Sequence, residues 1–95
     1  MEAPLSRTFQ ALADPTRRAI LKMLGECDMT AGDIAAQFAI SAPSVSHHLN
    51  VLKQAGLIQS QRNGQTLVYS LNTTVVQEFV QEVMQFFNIG EDNHA

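Results

Sequence analysis

The dipeptide Asn63-Gly64 stands between two short runs, LIQSQR (57–62) and QTLVYSL (65–71). Asn-Gly between strand-like runs is a strong local signal for a β-hairpin, because both residues accept the positive φ that a tight, correctly twisted turn needs. In the second run Leu67, Tyr69 and Leu71 fall on one face of the strand. Nothing before residue 56 has this period of two. One hairpin has too little surface to stand alone, so it must attach to whatever the helical remainder builds.

That remainder is well punctuated. Residues 5–13 carry Leu5, Phe9 and Leu12 at helical spacing. Asp14-Pro15 then predicts a new helix, with Asp as N-cap and Pro at the first position. Its residues Ile20, Leu21, Met23 and Leu24 point inward, and Gly25 is the expected stop. Thr30-Ala-Gly-Asp33 has the spacing of a capping box and opens a third helix with Ile34, Ala35 and Phe38 apolar. Only Ala39-Ile40 separates it from Ser41, which caps a fourth helix that tolerates Pro43 in its first turn and ends at Gly56. Two short helices on so short a turn are a helix-turn-helix. After the hairpin, Thr74-x-x-Gln77 predicts a last helix running to about Asn88. The order α-α-α-α-β-β-α is mainly α with a small β-hairpin, a winged helix-turn-helix in one domain spanning 1–95.

A helical wheel divides the fourth helix into two faces. Val45, Leu49 and Leu52 form a narrow apolar stripe; Pro43, Ser46, His47, Asn50 and Gln54 lie opposite. A merely solvated face usually carries Lys and Glu. This one carries small hydrogen-bonding groups, which suit base edges in a major groove, and the helix N-terminus offers N–H groups to phosphate. The adjacent His47 and His48 point about 100° apart on a helix, unlike metal pairs spaced three or four residues apart. His47 is a base or phosphate contact; His48 is a core-edge residue bonded to local backbone. Arg62 beside the turn is either simply solvated or reaches a minor groove or flanking phosphate. Arg17, Arg18 and Lys22 could form a basic shoulder, one of them pairing with an acid.

Net charge is −3, which taken alone argues against a nucleic-acid partner. The distribution is lopsided: all six Lys and Arg lie within residues 1–62 beside five acids, and the remainder carries four acids and no Lys or Arg. Residues 90–95 read as a frayed acidic tail. No apolar run approaches the roughly 18 residues of a membrane span, and no signal-peptide layout opens the chain. A cytoplasmic protein is expected. Cys27 is the only cysteine, which excludes an internal disulfide and suits a reducing compartment.

The segments ADPTRRAILKML, MTAGDIAAQFAISAPSVSHHLNVLKQAGLI and RNGQTLVYSLN resemble the ArsR/SmtB family of dimeric winged-helix repressors, over about residues 8–88. The details are most similar to its SdpR-like autorepressor branch. The resemblance implies a repressor that binds double-stranded DNA, with helix 41–55 in the major groove. It places DNA contacts on Ser44, Ser46 and His47, while Ala42 and Pro43 stand where relatives often have polar residues. The family's metal sites have no match: Cys27 is alone before the third helix, and the last helix holds neither His nor Asp. Zinc needs three or four ligands, and the only nearby candidates are Glu78, Glu82 and His94, the last of them in the tail. No cofactor is expected.

The last helix supplies Val75, Val76, Phe79, Val80, Val83, Met84, Phe86 and Phe87. This is either ordinary core for a small protein or a second apolar face for a symmetry mate. A 95-residue chain buries a modest core alone. The expected interface of a homodimer is therefore Leu5, Phe9 and Leu12 with Phe79, Val80, Val83, Met84 and Phe87, and its operator an inverted repeat. Two alternatives remain at this point: a metal- or redox-responsive repressor, or one released from DNA by a protein partner. An enzyme is not expected, since no nucleophile is paired with a base.

Overall fold

The computed structural model describes residues 4–89. The expectations for the acidic tail and for His94 lie outside them. Along the chain run α1 (Pro4–Leu12), α2 (Pro15–Glu26), β1 (Met29–Thr30), α3 (Ala31–Gln37), α4 (Ala42–Gln54), β2 (Ile58–Asn63), β3 (Thr66–Leu71) and α5 (Thr73–Phe86). The mainly helical winged helix-turn-helix is as expected, with one added strand.

Local capping chemistry sets three of the helix starts. The Asp14 side chain accepts from Arg17 N–H at 3.1 Å. Thr30 Oγ1 accepts from Asp33 N–H at 3.0 Å while Asp33 Oδ2 accepts from Thr30 N–H at 3.1 Å, a complete capping box. Ser41 Oγ accepts from Ser44 N–H at 3.3 Å. The exit from α4 is as well defined: Gly56 takes φ +80°, its N–H donates to Lys53 O, and Leu57 N–H donates to Leu52 O. This is a Schellman turn, which needs a residue free of left-handed strain at Gly56.

Three expected boundaries move. Gly25 does not stop α2; it keeps a negative φ, and the helical hydrogen bond from Cys27 N–H to Met23 O carries the helix to Glu26. The last helix starts at Thr73 rather than Thr74, capped by Asn72, whose Oδ1 accepts from Val75 N–H at 3.4 Å. The hairpin turn is Gly64-Gln65, one residue later than Asn63-Gly64. Asn63 pairs with Thr66 in the ladder, and Gly64 alone of the turn residues has positive φ, at +69°. A turn with glycine first and a negative φ second needs nothing unusual of Asn63.

The sheet order is β1-β3-β2, all antiparallel. The unforeseen β1 has two residues, Met29 opposite Tyr69 and Thr30 opposite Val68. It ties the start of the helix-turn-helix to the wing. Beneath, Ile20, Leu24, Ile34, Val45, Leu49, Leu52, Leu57 and Ile58 are buried with Ala11 in one core, against which Tyr69, Leu71, Val75 and Val76 pack.

Candidate nucleic-acid interface

The core stripe Val45, Leu49 and Leu52 pins α4, each of the three at most 2% exposed. The 3.6-residue repeat then forces the opposite face outward. Pro43, Ser46, His47, Asn50 and Gln54 are all exposed. Ser44 is half-buried, and its Oγ accepts from Ser41 Oγ–H at 3.2 Å, so its hydroxyl is partly engaged at the helix start. The outer face of α4 thus carries hydroxyl, imidazole and amide groups without a formal charge on any of them at neutral imidazole.

The wing stands beside this face. Lys53 Nζ donates to Ser60 Oγ at 2.9 Å, tying the last turn of α4 to β2. Arg62 is exposed, opposite Leu67 and one pair back from the turn. It borders a shallow polar hollow with Asp28, Gln61, Asn63 and Ser70.

The two histidines part company. Their ring centroids are 5.6 Å apart and tilted by 55°, with His47 exposed and His48 half-buried. His48 was expected to bond local backbone. Instead its Nδ1 lies 3.4 Å from Arg17 Nη1 and 3.9 Å from Asp14 Oδ2, on another helix. The arginines also differ from expectation. Arg17 Nε donates to Ala11 O at 2.7 Å and Nη2 to Gln10 O at 3.1 Å; Arg18 Nη1 donates to Leu12 O at 2.8 Å. Both guanidinium groups cap the exposed carbonyls at the end of α1. Sequence spacing did not show this role, although the short link through Ala13 and Asp14 keeps residues 17 and 18 within reach of α1. Arg17 N–H beside Asp14 holds the Asp14 carboxyl below its usual value against a smaller effect of burial.

Comparison with known proteins decides the family. The chain is 53% identical over 89 residues to the transcriptional repressor SdpR of Bacillus subtilis, covering 94% of this chain and 99% of that one. A family model described as bacterial regulatory protein, arsR family, matches residues 14–60. The chain belongs to the arsR family of bacterial regulatory proteins. Among solved structures, an ArsR-like transcriptional regulator from Rhodococcus sp. RHA1 superposes with a TM-score of 0.83 at 28% identity, over 90% of this chain and 80% of that one. A homodimeric winged helix-turn-helix DNA-binding domain from Mycobacterium bovis superposes at 0.73 with 26% identity, over 97% of this chain and 88% of that one. As an arsR-family member the protein is a regulator, not an enzyme.

The terminal helices carry much of the exposed apolar surface. No residue of α5 is fully buried. Phe79 is half-buried and meets Phe9 edge-on, ring centroids 5.3 Å apart, joining α5 to α1. Val83 and Leu5 are half-buried, and Leu12 turns inward against the core. Phe9, Val80, Met84 and Phe87 are exposed, and so are Phe86, which the last helix's apolar set included, and Ile89, which it did not. Among the described residues no three His, Cys, Asp or Glu side chains come together as a metal site, and no helix is long and apolar enough to cross a membrane. Cys27 is exposed.

Proposed function

We propose that the protein is a transcriptional repressor that binds an inverted-repeat operator as a homodimer. In this reading α4 enters the major groove with Ser46, His47 and Asn50 toward base edges, Pro43 and Ser44 at the groove entry, Gln54 at the far end, and Arg62 on the flanking backbone. The observation that carries it is the uncharged, hydrogen-bonding outer face of α4 beside the wing. Kinship with a repressor at 53% identity supports the same direction of control; that the gene it controls is its own is part of the proposal. The homodimer is supported by the exposed apolar residues Phe9, Val80, Met84 and Phe87, too many for a lone small domain to leave in water without use. With no counterpart of the family's metal-ligand sets in Cys27 or in α5, the reading is of a repressor without a metal switch, and release by a protein partner is the alternative it keeps.

Selection of bound sequences from random duplexes, followed by a search upstream of the protein's own gene, tests the operator. Replacing Ser46 and His47 together by alanine removes operator binding and leaves the dimer intact by sedimentation. Undiminished binding by that variant would contradict the recognition face. Release of wild-type protein from its operator by stoichiometric zinc would contradict the metal-free reading.

A further inference from the structure

We infer that His48 is a positioning residue: through the Arg17 guanidinium it locks the recognition helix α4 to the end of α1, and so sets the half-site separation that the dimer accepts. The inference rests on the dimeric, DNA-binding reading above. Arg17 sits between two helices with its donors divided. Nε and Nη2 hold the carbonyls of Ala11 and Gln10 at 2.7 and 3.1 Å, and Nη1 lies 3.4 Å from His48 Nδ1. A guanidinium has no acceptor, so Nδ1 accepts and the imidazole keeps its proton on Nε2. Asp14 Oδ2, at 3.9 Å from the same nitrogen, is beyond hydrogen-bond reach and is already held by Arg17 N–H.

The bridge matters because α4 packs chiefly on α2, α3 and β2. Between α1 and α4 there is instead an open groove lined by Arg7, Gln10, Ala11, Val51 and Gln54. The Arg17–His48 contact spans the two sides. The His48 side chain is only 16% exposed, so this contact is better shielded than a surface pair. A continuous path results: α5 meets α1 through Phe79 and Phe9, Arg17 grips the end of α1, and His48 carries the constraint into α4. In the dimer α1 belongs to the two-fold face. Its angle to α4 then fixes how far apart the two recognition helices stand, a separation the operator must match at about one helical turn.

The test is selection from random duplexes by full-length wild type, His48→Asn and His48→Leu, with dimerisation followed by sedimentation. Asparagine places an acceptor oxygen near the site of Nδ1; leucine fills similar space without one. Wild type and His48→Asn are expected to select one half-site spacing. His48→Leu should select the same half-site sequence with the spacing spread over several base pairs, affinity for the best operator reduced about tenfold, and an unchanged dimer constant. A single retained spacing in His48→Leu overturns the inference, as does a His48→Asn variant as loosened as His48→Leu. Should His48→Leu not fold, Arg17→Lys serves: it keeps the charge but cannot donate to Ala11, Gln10 and His48 together. The same loosening is expected, and an unaltered spacing overturns the inference. Wild type selecting no inverted repeat removes the parent reading, and this one with it, whereas failure seen only in the variants touches His48 alone.

Discussion

Asp14 illustrates how much one side chain can organise. Its carboxylate caps α2, and the N–H of Arg17 that it accepts places the Arg17 guanidinium back over the end of α1. That backbone donor also holds its carboxyl below the ordinary value of 3.8. The sign follows from linkage. A carboxyl whose value is lowered on folding stabilises the fold fully above its unfolded value, and the contribution is lost as pH falls through the lower folded one. Asp14→Ala is therefore expected to melt below wild type at neutral pH, with the gap closing as the pH is lowered from about 4 toward 2. Asp14→Asn, which keeps an N-cap oxygen, should stay near wild type in acid. Melting curves across that range check this; a gap that does not depend on pH would show that the charge of Asp14 is not what stabilises.

Among the elements, α4 separates stability from recognition on its two faces. Leu52 is fully buried and also supplies the carbonyl that closes the Schellman turn. Leu52→Ala is expected to cost about 2–5 kcal/mol in urea unfolding, the range for emptying a packed leucine site. The double alanine variant at Ser46 and His47, on exposed ground, should change stability by about 0.5 kcal/mol or less. Equal losses from the two faces would mean that the outer face is structural. Caps were the most legible part of each element: Asp14, Thr30 and Ser41 act within three residues of themselves. Gly25 and Thr74 misled because glycine permits a stop without requiring one, and because Asn72 was already free to cap at the end of β3.

In the whole molecule, charge and apolar surface are kept apart. The basic residues all precede residue 63, and α5 carries Glu78 and Glu82 without a Lys or Arg. Two of the six basic side chains, Arg17 and Arg18, are spent on α1 carbonyls, and Lys53 holds Ser60. Few cations remain for phosphates. Operator affinity should therefore fall gently with salt, because each neutralised phosphate adds about 0.9 to the logarithmic slope. A titration giving a slope that needs about ten or more released ions would contradict this charge distribution. The low cation count also shifts the burden of recognition onto the hydrogen-bonding groups of α4 and the correct placement of two copies.

The order of helices and hairpin, the faces of α4 and the family likeness were all written in local pattern: the periodicity of apolar residues, caps three residues long, and one glycine turn. These depend on neighbours along the chain, and neighbours are what a sequence displays. The two-residue β1 pairs with Tyr69 and Val68 some forty positions away, and two residues are too few to have a period. The arginines at 17 and 18 looked like cations awaiting a phosphate until folding brought the carbonyls of α1 against them. His48 looked like a neighbour of its own backbone until α2 was set beside α4. A polar side chain takes the best partner within reach in space, and which groups come within reach is settled by packing.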